Sequence, residues 1–470
     1  MTEKTDTGRN ESFRDSISTI DKEGHRAWIY AQKPKGKLYN ARTVTSIFYL
    51  IAFFTIPFIK INGNPLFLAN IVKGKFILFS MVFWPQDFFL FGLGMLIFIL
   101  FVVLFTVVFG RVFCGWACPQ TIFMEMVFRR IEYWIEGDGT HQKALNKGPW
   151  NRDKIIKKIS KHTIFMLVAF LIANTFLSYI IGIDELFRIV QDPISSHIGG
   201  FISIWLFTGV FYFIFAIFRE QACLVVCPYG RLQGVLLDKN SIVVAYDYIR
   251  GELRGKFKKN ETRTVGDCID CDQCVKVCPT GIDIRNGTQL ECVNCTACID
   301  ACDHMMESVG LPKGLIRYDS ENGIINKQKL KITPRLIAYS CVLLVLIGLE
   351  SFLIISRSDV DVSIIRARGL LYQEQPDSIH VSNIYNIKLE NKTRTNMPVQ
   401  LKLESANGEI KLIGKEGLEV AGENHAQGEF FIILDKRTIK ARKTKLKVGI
   451  YSADKKIKTI ETSFFGPVSK

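Results

Sequence analysis

Residues 268–302 read CIDCDQCVKVCPTGIDIRNGTQLECVNCTACIDAC. This stretch contains the pattern Cys-x2-Cys-x2-Cys-x3-Cys twice, with Pro279 directly after the first run. The spacing is typical of bacterial ferredoxins that hold two four-iron clusters, in which each tight loop supplies three thiolates and the other run supplies the fourth. The sequence therefore predicts a ferredoxin-like segment with two [4Fe-4S] clusters. The predicted ligands are Cys268, Cys271, Cys274 and Cys302 for one cluster, and Cys278, Cys292, Cys295 and Cys298 for the other.

Structural zinc and disulfides are the alternatives for these cysteines. Zinc sites generally use cysteine pairs rather than quartets. The 13 cysteines of the chain all lie at or before Cys341, and this confinement points to metal chemistry rather than a disulfide scaffold. Asp303 stands where a proline would follow the second run, a departure that removes no ligand.

The remaining sequence is that of a membrane protein. The chain has 470 residues, 48% of them hydrophobic, and a formal net charge of +15. A bilayer core of about 30 Å needs roughly 20 apolar helical residues, and several stretches of this kind occur. They are Val44–Ile59, Phe88–Phe113, Thr163–Ile183, Phe201–Phe218 and Leu336–Ile355. Basic residues that flank apolar stretches favour a partner of membrane lipid, and because no nucleic-acid motif is present we expect no nucleic-acid partner.

The distribution of lysine and arginine predicts the orientation of the spans. Nine basic residues precede the first span and ten lie between Arg111 and Lys161, whereas the alternate loops have only Lys60, Lys73 and Lys75 or Arg188. Since basic loops stay in the cytoplasm, we expect a protein of the bacterial inner (cytoplasmic) membrane. Its amino terminus is predicted to be cytoplasmic and its carboxyl terminus periplasmic.

The predicted fold is a multi-domain membrane protein. It combines a five-span α-helical bundle, a cytoplasmic two-cluster ferredoxin-like insert and a carboxyl-terminal immunoglobulin-like β-sandwich. The sandwich is inferred from short strand-like segments separated by Asn, Gly and Asp turns. The predicted divisions are a loosely held cytoplasmic arm (1–43), four spans with their loops (44–218), the cytoplasmic ferredoxin-like segment (219–334), the fifth span (335–355) and the periplasmic sandwich (356–470).

A second set of cysteines forms two Cys-x3-Cys-Pro motifs. Cys114 and Cys118 follow the second span, and Cys223 and Cys227 follow the fourth. Residues i and i+4 share one face of a helix, so each pair is predicted to present two sulfurs together. Soft thiolates suit Cu(I), which makes the four cysteines candidate copper-binding or redox thiols. The alternative is that they pack as small apolar residues.

The chain resembles the cytochrome c oxidase accessory protein family of the FixG/RdxA/CcoG type. The resemblance rests on Trp28-Ile-Tyr, Tyr39-Asn-Ala-Arg, Cys114-Gly-Trp-Ala-Cys-Pro-Gln, Cys227-Pro-Tyr-Gly-Arg, both cysteine runs and Gly310-Leu-Pro-Lys-Gly-Leu-Ile-Arg-Tyr. It implies a role in the assembly of a cbb-type oxidase, with reduction of Cu(II) to Cu(I) for copper delivery. The implied partners are cytochrome oxidase subunits or a copper chaperone, together with an electron donor that the sequence does not identify.

Two other functions fit the same residues. One is a quinol-to-ferredoxin electron relay of a respiratory system, since similar relays pair Cys-x3-Cys-Pro motifs with two clusters. The other is a redox sensor or structural scaffold, which the absence of a signalling motif in the sequence disfavours. The position of the predicted sandwich favours copper handling, because it would offer a docking surface.

Overall fold

The protein is described here by a computed structural model. Most of the chain from residue 19 onward is described, and the amino-terminal residues 1–18 of the predicted arm lie outside the described residues. The described ranges are 19–20, 23–61, 63–71, 74–79, 81–84, 87–258, 264–327, 334–358, 360–367, 369, 371–377, 379–393, 395–414, 418–422, 424–439, 441–452 and 455–467. The chain divides into two compact units, Met1–Glu350 and Ser351–Lys470.

The first unit is dominated by α-helices. In chain order they are α1 (Lys37–Thr55), α2 (Phe88–Phe109), α3 (Val112–Trp116), α4 (Pro119–Thr121), α5 (Arg129–Ile135), α6 (Gly139–Lys147), α7 (Arg152–Ile181), α8 (Ile183–Gln191), α9 (Ile198–Tyr212), α10 (Pro228–Leu236), α11 (Tyr248–Gly251), α12 (Gln273–Lys276), α13 (Ala297–Ser308), α14 (Glu321–Asn326) and α15 (Pro334–Ile355). Wider π-helical turns occur at Ile122–Phe128, Phe213–Phe218 and Ala222–Val226.

Within the described residues, five helical segments are long and apolar enough to cross a membrane. They are Lys37–Phe58, Phe88–Phe109, Arg152–Ile181, Ile198–Phe218 and Leu336–Ile355. The chain is therefore a multi-pass membrane protein. Two helices, α1 and α7, start well before the apolar stretches from which they were predicted, and charged side chains in these additional turns bind groups within the protein. In α7, for example, Lys158 and Lys161 pair with the buried carboxylate of Glu136 at 2.8 and 3.0 Å.

The prediction of a loosely held arm is wrong for the part of the arm that is described. Residues 23–36 run between the helical bundle and the ferredoxin-like segment and contact both. The backbone N–H of Gln32 donates to the carbonyl of Lys276 at 2.8 Å, and the Tyr133 hydroxyl donates to the carbonyl of Ala31 at 3.1 Å. The guanidinium of Arg26 lies over the Trp28 ring at 3.9 Å. The arm is thus an ordered part of the interface.

Short antiparallel strands occur at two places in the first unit. Between α1 and α2 they are β1 (Lys60–Ile61), β2 (Asn64–Pro65), β3 (Phe67–Asn70), β4 (Lys75–Leu78) and β5 (Met81–Phe83), paired as β1-β2 and β3-β4-β5. In the ferredoxin-like segment, β6 (Val243–Tyr246) pairs with β7 (Ile316–Asp319). The β6-β7 pair brackets both cysteine runs and closes them into one compact body.

The second unit is an immunoglobulin-like sandwich of antiparallel strands. They are β8 (Val360–Arg366), β9 (Gln373–Glu374), β10 (His380–Asn391), β11 (Met397–Leu403), β12 (Gly408–Leu412), β13 (Leu418–Val420), β14 (His425–Asp435), β15 (Lys443–Ser452) and β16 (Lys455–Phe465). One sheet has the order β12-β14-β10-β8, with β9 paired to β10, and the other has the order β13-β11-β15-β16. Alternate residues point into a core in which Tyr385, Phe430 and Phe464 are fully buried.

Candidate iron-sulfur and thiol sites

The two cysteine runs form a pair of loops that have the same backbone conformation. In each loop the residue before and the residue after the second cysteine adopt positive φ, at 54° and 57° for Asp270 and Asp272, and at 53° and 66° for Asn294 and Thr296. Such conformations are uncommon for residues with a side chain, and for a β-branched threonine they are outliers. Alternating backbone handedness turns successive N–H groups towards one point and creates a concave site for an anion. The loops are therefore shaped to surround a negatively charged group.

Two cavities lie beside these loops, and cysteines line both of them. The first has about 340 Å³ of free space and is lined by Cys274, Cys278, Cys292, Cys295 and Cys298. The second has about 330 Å³ and is lined by Cys268, Cys271, Cys274 and Cys302. Their other walls are mostly aliphatic, including Val244, Ile282, Ile284 and Ile316. Two nearly equal, sulfur-lined and otherwise apolar cavities fit two cubane clusters of the same type.

Burial affects the ionisation of the sulfurs in these cavities. Desolvation raises the pKa of Cys274 and of Cys302 to about 12, and neighbouring cysteines add to this effect at Cys302. Buried thiols of this kind become thiolates only when nearby positive charge compensates. Bound iron supplies such charge, so the cavities suit metal-bound sulfur rather than free thiolate.

A buried arginine that the sequence analysis missed holds the loop of the second cavity. Arg285 pairs with Asp270, Asp272 and Asp283, each at 2.7 Å. Burial raises the pKa of Asp283, but hydrogen bonds and charge from Arg285 outweigh it, so the net direction is downward. The arginine thus fixes both positive-φ aspartates beside Cys271. Asp303, the residue in place of a proline, accepts the backbone N–H of Gly314 at 2.8 Å and so ties α13 to the next loop.

The Cys-x3-Cys-Pro motifs have matching geometry, but they do not have the predicted helical geometry. Helix α3 ends between Cys114 and Cys118, and the second cysteine of each pair is extended, with ψ 126° at Cys118 and 108° at Cys227. The following proline disfavours helical backbone at the residue before it. The prediction that each pair lies on one helical face is therefore wrong. In both motifs the N–H of the second cysteine donates to the carbonyl five residues earlier, at 2.9 Å.

The four cysteines of these motifs are brought together. Burial raises the pKa of Cys114 to about 11 and that of Cys223 to about 12, and at both residues the other cysteines of the set contribute. We call Cys114, Cys118, Cys223 and Cys227 the thiol quartet. The Cys114 thiol donates to Oε1 of the fully buried Gln233 at 2.9 Å. Across the described part of the chain, no three His, Cys, Asp or Glu side chains converge tightly enough to hold a single metal ion.

The thiol quartet lies against the first cluster cavity. Cys114 packs in one buried group with Val293 and Cys295. A Cβ atom at Gly115 would lie 2.5 Å from the carbonyl oxygen of Val293, so only glycine permits this approach. Tyr318 links the segment around Gly115 to the second cysteine run. Its hydroxyl accepts a hydrogen bond from the Trp116 indole N–H at 3.2 Å and donates one to the Asn294 carbonyl at 3.1 Å.

A buried network of charges supports this region and was also missed from the sequence. Its carboxylates are Glu125, Glu132, Glu136 and Glu220, and its cations are Arg26, Arg129, Lys158, Lys161 and Arg219. Arg129 also donates to the carbonyl of Pro279 at 3.5 Å, next to Cys278. Some of the lysines and arginines that make the alternate loops unequal in charge, among them Arg129 and Lys161, therefore form ion pairs inside the protein.

Family comparisons agree with the architecture. A 4Fe-4S dicluster domain matches residues 218–321, a second 4Fe-4S binding domain matches residues 91–137, and the immunoglobulin-like fold found at the carboxyl terminus of FixG matches residues 351–467. The fold and sites define a multi-pass membrane iron–sulfur protein with an electron-transfer role.

Relatives narrow this class to one family. Protein RdxB of Cereibacter sphaeroides is 32% identical over 80% of this chain and 82% of its own length, and RdxA of the same organism is 33% identical over 77% and 78%. Nitrogen fixation protein FixG of Rhizobium meliloti is 35% identical over 62% of this chain, but the match spans only 57% of FixG. The chain belongs to the FixG/RdxA family. A solved FixG-related protein from Vibrio parahaemolyticus matches 23% of this chain and 97% of its own at 20% identity, with a TM-score of 0.20.

Proposed function

We propose that this protein reduces Cu(II) to Cu(I) at the thiol quartet with electrons supplied through its two clusters, and that it thereby serves the assembly of a cbb-type cytochrome oxidase. The observation that carries the proposal is that Cys114 and Cys295 belong to one buried cluster of side chains, so a thiol of the quartet and a cysteine of the cluster cavity lie in the same packed region. Reduction of one Cu(II) takes one electron, so single-electron carriers suit it.

The two cysteine-lined cavities support the ligand sets that the sequence predicts. Cys268, Cys271, Cys274 and Cys302 would hold one cubane, and Cys278, Cys292, Cys295 and Cys298 the other. When bound, the cubanes supply one-electron storage at low potential. The surrounding chain keeps water away with aliphatic walls and positions the sulfurs through the constrained residues Asp270, Asp272, Asn294 and Thr296.

The thiol quartet would act on copper as a substrate. Thiolates are soft ligands and bind Cu(I) in preference to harder cations, so binding would favour the reduced state of the ion. Because the quartet does not converge on one point, copper binding would require its sulfurs to move together. In this step Cys114 would lose its proton to water, and the hydrogen bond from its thiol to Oε1 of Gln233 would be broken.

The proposed topology puts the ferredoxin-like segment and the sandwich on opposite sides of the membrane. Lysine and arginine counts favour a cytoplasmic ferredoxin-like segment and a periplasmic sandwich in the bacterial inner membrane. The sandwich would then offer its surface to oxidase subunits or to a copper chaperone. The thiol quartet would lie on the same side as the clusters, so electrons would reach copper without crossing the bilayer.

The direct test uses anaerobically purified full-length protein reduced with dithionite and freed of excess reductant. Addition of Cu(II) is expected to restore the absorbance of oxidised clusters and to produce Cu(I), measured with a Cu(I)-specific chelator, at one ion per electron. Clusters that stay reduced in the presence of Cu(II) would overturn the proposal. Zn(II), which takes no electron, is the matched control.

A further inference from the structure

The helical bundle has a groove on its surface that plays no part in the function proposed above. It is a shallow groove that lies between the first half of α7 and the end of α9 and opens broadly to the outside. Its apolar wall includes Trp150, Ile159, Met166 and Leu167. These side chains belong to or adjoin membrane-spanning segments, so the groove is accessible to a molecule dissolved in lipid.

One polar pair faces this groove. The hydroxyl of Tyr212 and Nδ1 of His162 are hydrogen-bonded at 2.8 Å. Within the part of the chain that the structure describes, Nε2 of His162 has no hydrogen-bond partner. If Tyr212 donates to Nδ1, then Nε2 carries the proton and is a donor. If Nδ1 donates to Tyr212, Nε2 is an acceptor. The pair can therefore bind a carbonyl oxygen or a hydroxyl group by shifting one proton.

The positive charge in the wall of the groove is already neutralised by an ion pair inside the protein. Lys158, the charged residue in the wall, pairs with the buried carboxylate of Glu136 at 2.8 Å. The other charged groups close to His162 are Lys161 and Glu132, which belong to the same buried network. A phosphate headgroup needs cations that are free to pair with it. The groove instead suits a neutral amphiphile with an apolar body and one hydrogen-bonding oxygen.

Aromatic contacts lead from the groove towards the first cluster cavity. The His162 ring lies 6.3 Å from Phe165, and Phe165 lies 4.9 Å from Phe128 in an edge-on contact. Phe128 precedes Arg129, whose guanidinium donates to the carbonyl of Pro279. Pro279 follows Cys278, which lines the first cavity. The groove and that cavity are thus connected by packed side chains within one compact unit.

We infer that this groove binds a membrane hydroquinone, which is the electron donor of the protein. The inference rests on the electron-transfer function proposed above and names its reductant. Oxidation of one hydroquinone releases two electrons and two protons and leaves a quinone. The two clusters, when bound, would each accept one of these electrons. The proton of the hydroxyl group bound to His162 passes to Nε2, and the second proton passes to water at the polar end of the groove beside Lys158.

The test mixes oxidised, anaerobic full-length protein with a short-chain benzohydroquinone or naphthohydroquinone and follows loss of cluster absorbance in a stopped-flow instrument. Wild-type protein is expected to be reduced. The variant His162→Gln should be reduced roughly a hundredfold more slowly, because it loses the imidazole that accepts the proton. The variant Tyr212→Phe keeps the imidazole but loses the hydroxyl bonded to Nδ1, and it should also be reduced more slowly than wild type. The control His197→Gln changes a histidine that pairs with Asp192 away from the groove and should react at the wild-type rate. Dithionite should reduce all four proteins equally.

A second readout does not depend on electron transfer. A photoreactive azidoquinone should label the peptide containing residues 155–167, and excess unlabelled quinone should prevent the labelling. Hydroquinone that fails to reduce wild-type clusters, or groove variants that react as fast as the control, would overturn the inference. So would labelling by an azido-phospholipid that quinone does not displace. Copper reduction by dithionite-reduced protein would survive each of these results, so failure here is distinguishable from failure of the proposed function.

Discussion

Arg219 forms a two-pronged ion pair with Glu132, with Nη1–Oε1 at 2.8 Å and Nη2–Oε2 at 3.0 Å. Arg219 ends the helix that precedes the second thiol pair and has φ 53° and ψ −127°. Gly110 holds the matching position before the first thiol pair with φ 56° and ψ −135°. A glycine adopts this backbone without strain and an arginine does not. The buried ion pair therefore stabilises the strained turn that positions Cys223.

Replacement of Glu132 is expected to be strongly destabilising. Glu132→Gln leaves the buried cations Arg219 and Lys161 without their shared carboxylate, a change that typically costs about 3–5 kcal/mol. Thermal unfolding in detergent should show a clearly lowered midpoint. Glu185→Gln is the control, since Glu185 pairs with Arg188 on the surface and its loss should shift the midpoint little. Equal midpoints for the two variants would contradict a structural role for the network.

The same ion pair predicts how stability responds to acid. Burial raises the pKa of Glu132, but Arg219, Lys161 and Arg129 outweigh burial and lower it below the ordinary value of 4.5. A lowered folded-state pKa stabilises the protein above the unfolded-state pKa, and this contribution is lost as pH falls through the folded-state value. Measured from pH 7 downward, the gap in unfolding midpoint between wild type and Glu132→Gln should narrow below about pH 4.5. A gap that widened with acid would show that the carboxylate is not the stabilising form.

The ferredoxin-like segment caps the first membrane helix. Asp300, on α13, accepts the backbone N–H groups of Tyr39 at 2.7 Å and Leu38 at 3.2 Å at the start of α1. Asp300→Ala should cost about 0.5–2 kcal/mol, as loss of a helix cap does. The variant should also weaken the contact between α1 and the ferredoxin-like segment. Hydrogen exchange of the backbone amides of residues 37–42 should therefore be faster. The control is Glu307→Gln on the same helix, which removes only a surface ion pair with Lys313. Amide exchange at residues 37–42 should not change in this variant.

The cysteine runs predict separable clusters. Full-length protein purified without oxygen should contain about eight irons, as two cubanes require. Cys271→Ser should disturb mainly the electron paramagnetic resonance signal of one reduced cluster, and Cys295→Ser mainly that of the other. The reason is that Cys271 lines only the second cavity and Cys295 only the first. Identical spectra for the two variants, or zinc in place of iron, would contradict the assignment.

The sequence was enough to predict what depends on local spacing and on hydrophobicity. The two ferredoxin runs, five apolar spans and an alternating β pattern in the last 110 or so residues are readable because each is a periodic or contiguous signal. The family and the general fold followed from them. The thiol pairs were found for the same reason, since Cys114-x3-Cys118 and Cys223-x3-Cys227 are both followed by proline.

What escaped prediction depends on contacts between distant residues. Arg285, Gln233 and the buried ion network have no local signature, because their partners lie elsewhere in the chain. The arm was expected to be loosely held since its composition is polar, yet Asp138 accepts the backbone N–H of Lys33 at 2.7 Å and helps to dock it. The thiol pairs depart from the helical geometry that their spacing predicts because Pro119 and Pro228 disfavour helical backbone at the cysteine before each of them.

The orientation of the protein remains a prediction that one fusion experiment checks. A reporter that fluoresces only in the cytoplasm should stay dark after Lys470 and should fluoresce when inserted in the ferredoxin-like segment at residues 259–263. The reason is the asymmetry of lysine and arginine between alternate loops. A bright fusion at the carboxyl terminus would mean that one span is miscounted.

We propose that electrons leave the clusters through the thiol quartet, and replacement of its four cysteines by serine is the sharpest test of this path. In the variant with Cys114, Cys118, Cys223 and Cys227 all changed to Ser, iron content, cluster spectra and membrane insertion are expected to match wild type. The matched control Cys341→Ser changes the one other cysteine outside the cluster runs, which is exposed on α15. The measurement is the rate of Cu(I) formation by dithionite-reduced protein. We predict that the quadruple variant loses this activity while the control keeps it. Copper reduction at the wild-type rate by a quadruple variant with intact clusters would show that the thiol quartet is not the site of copper reduction.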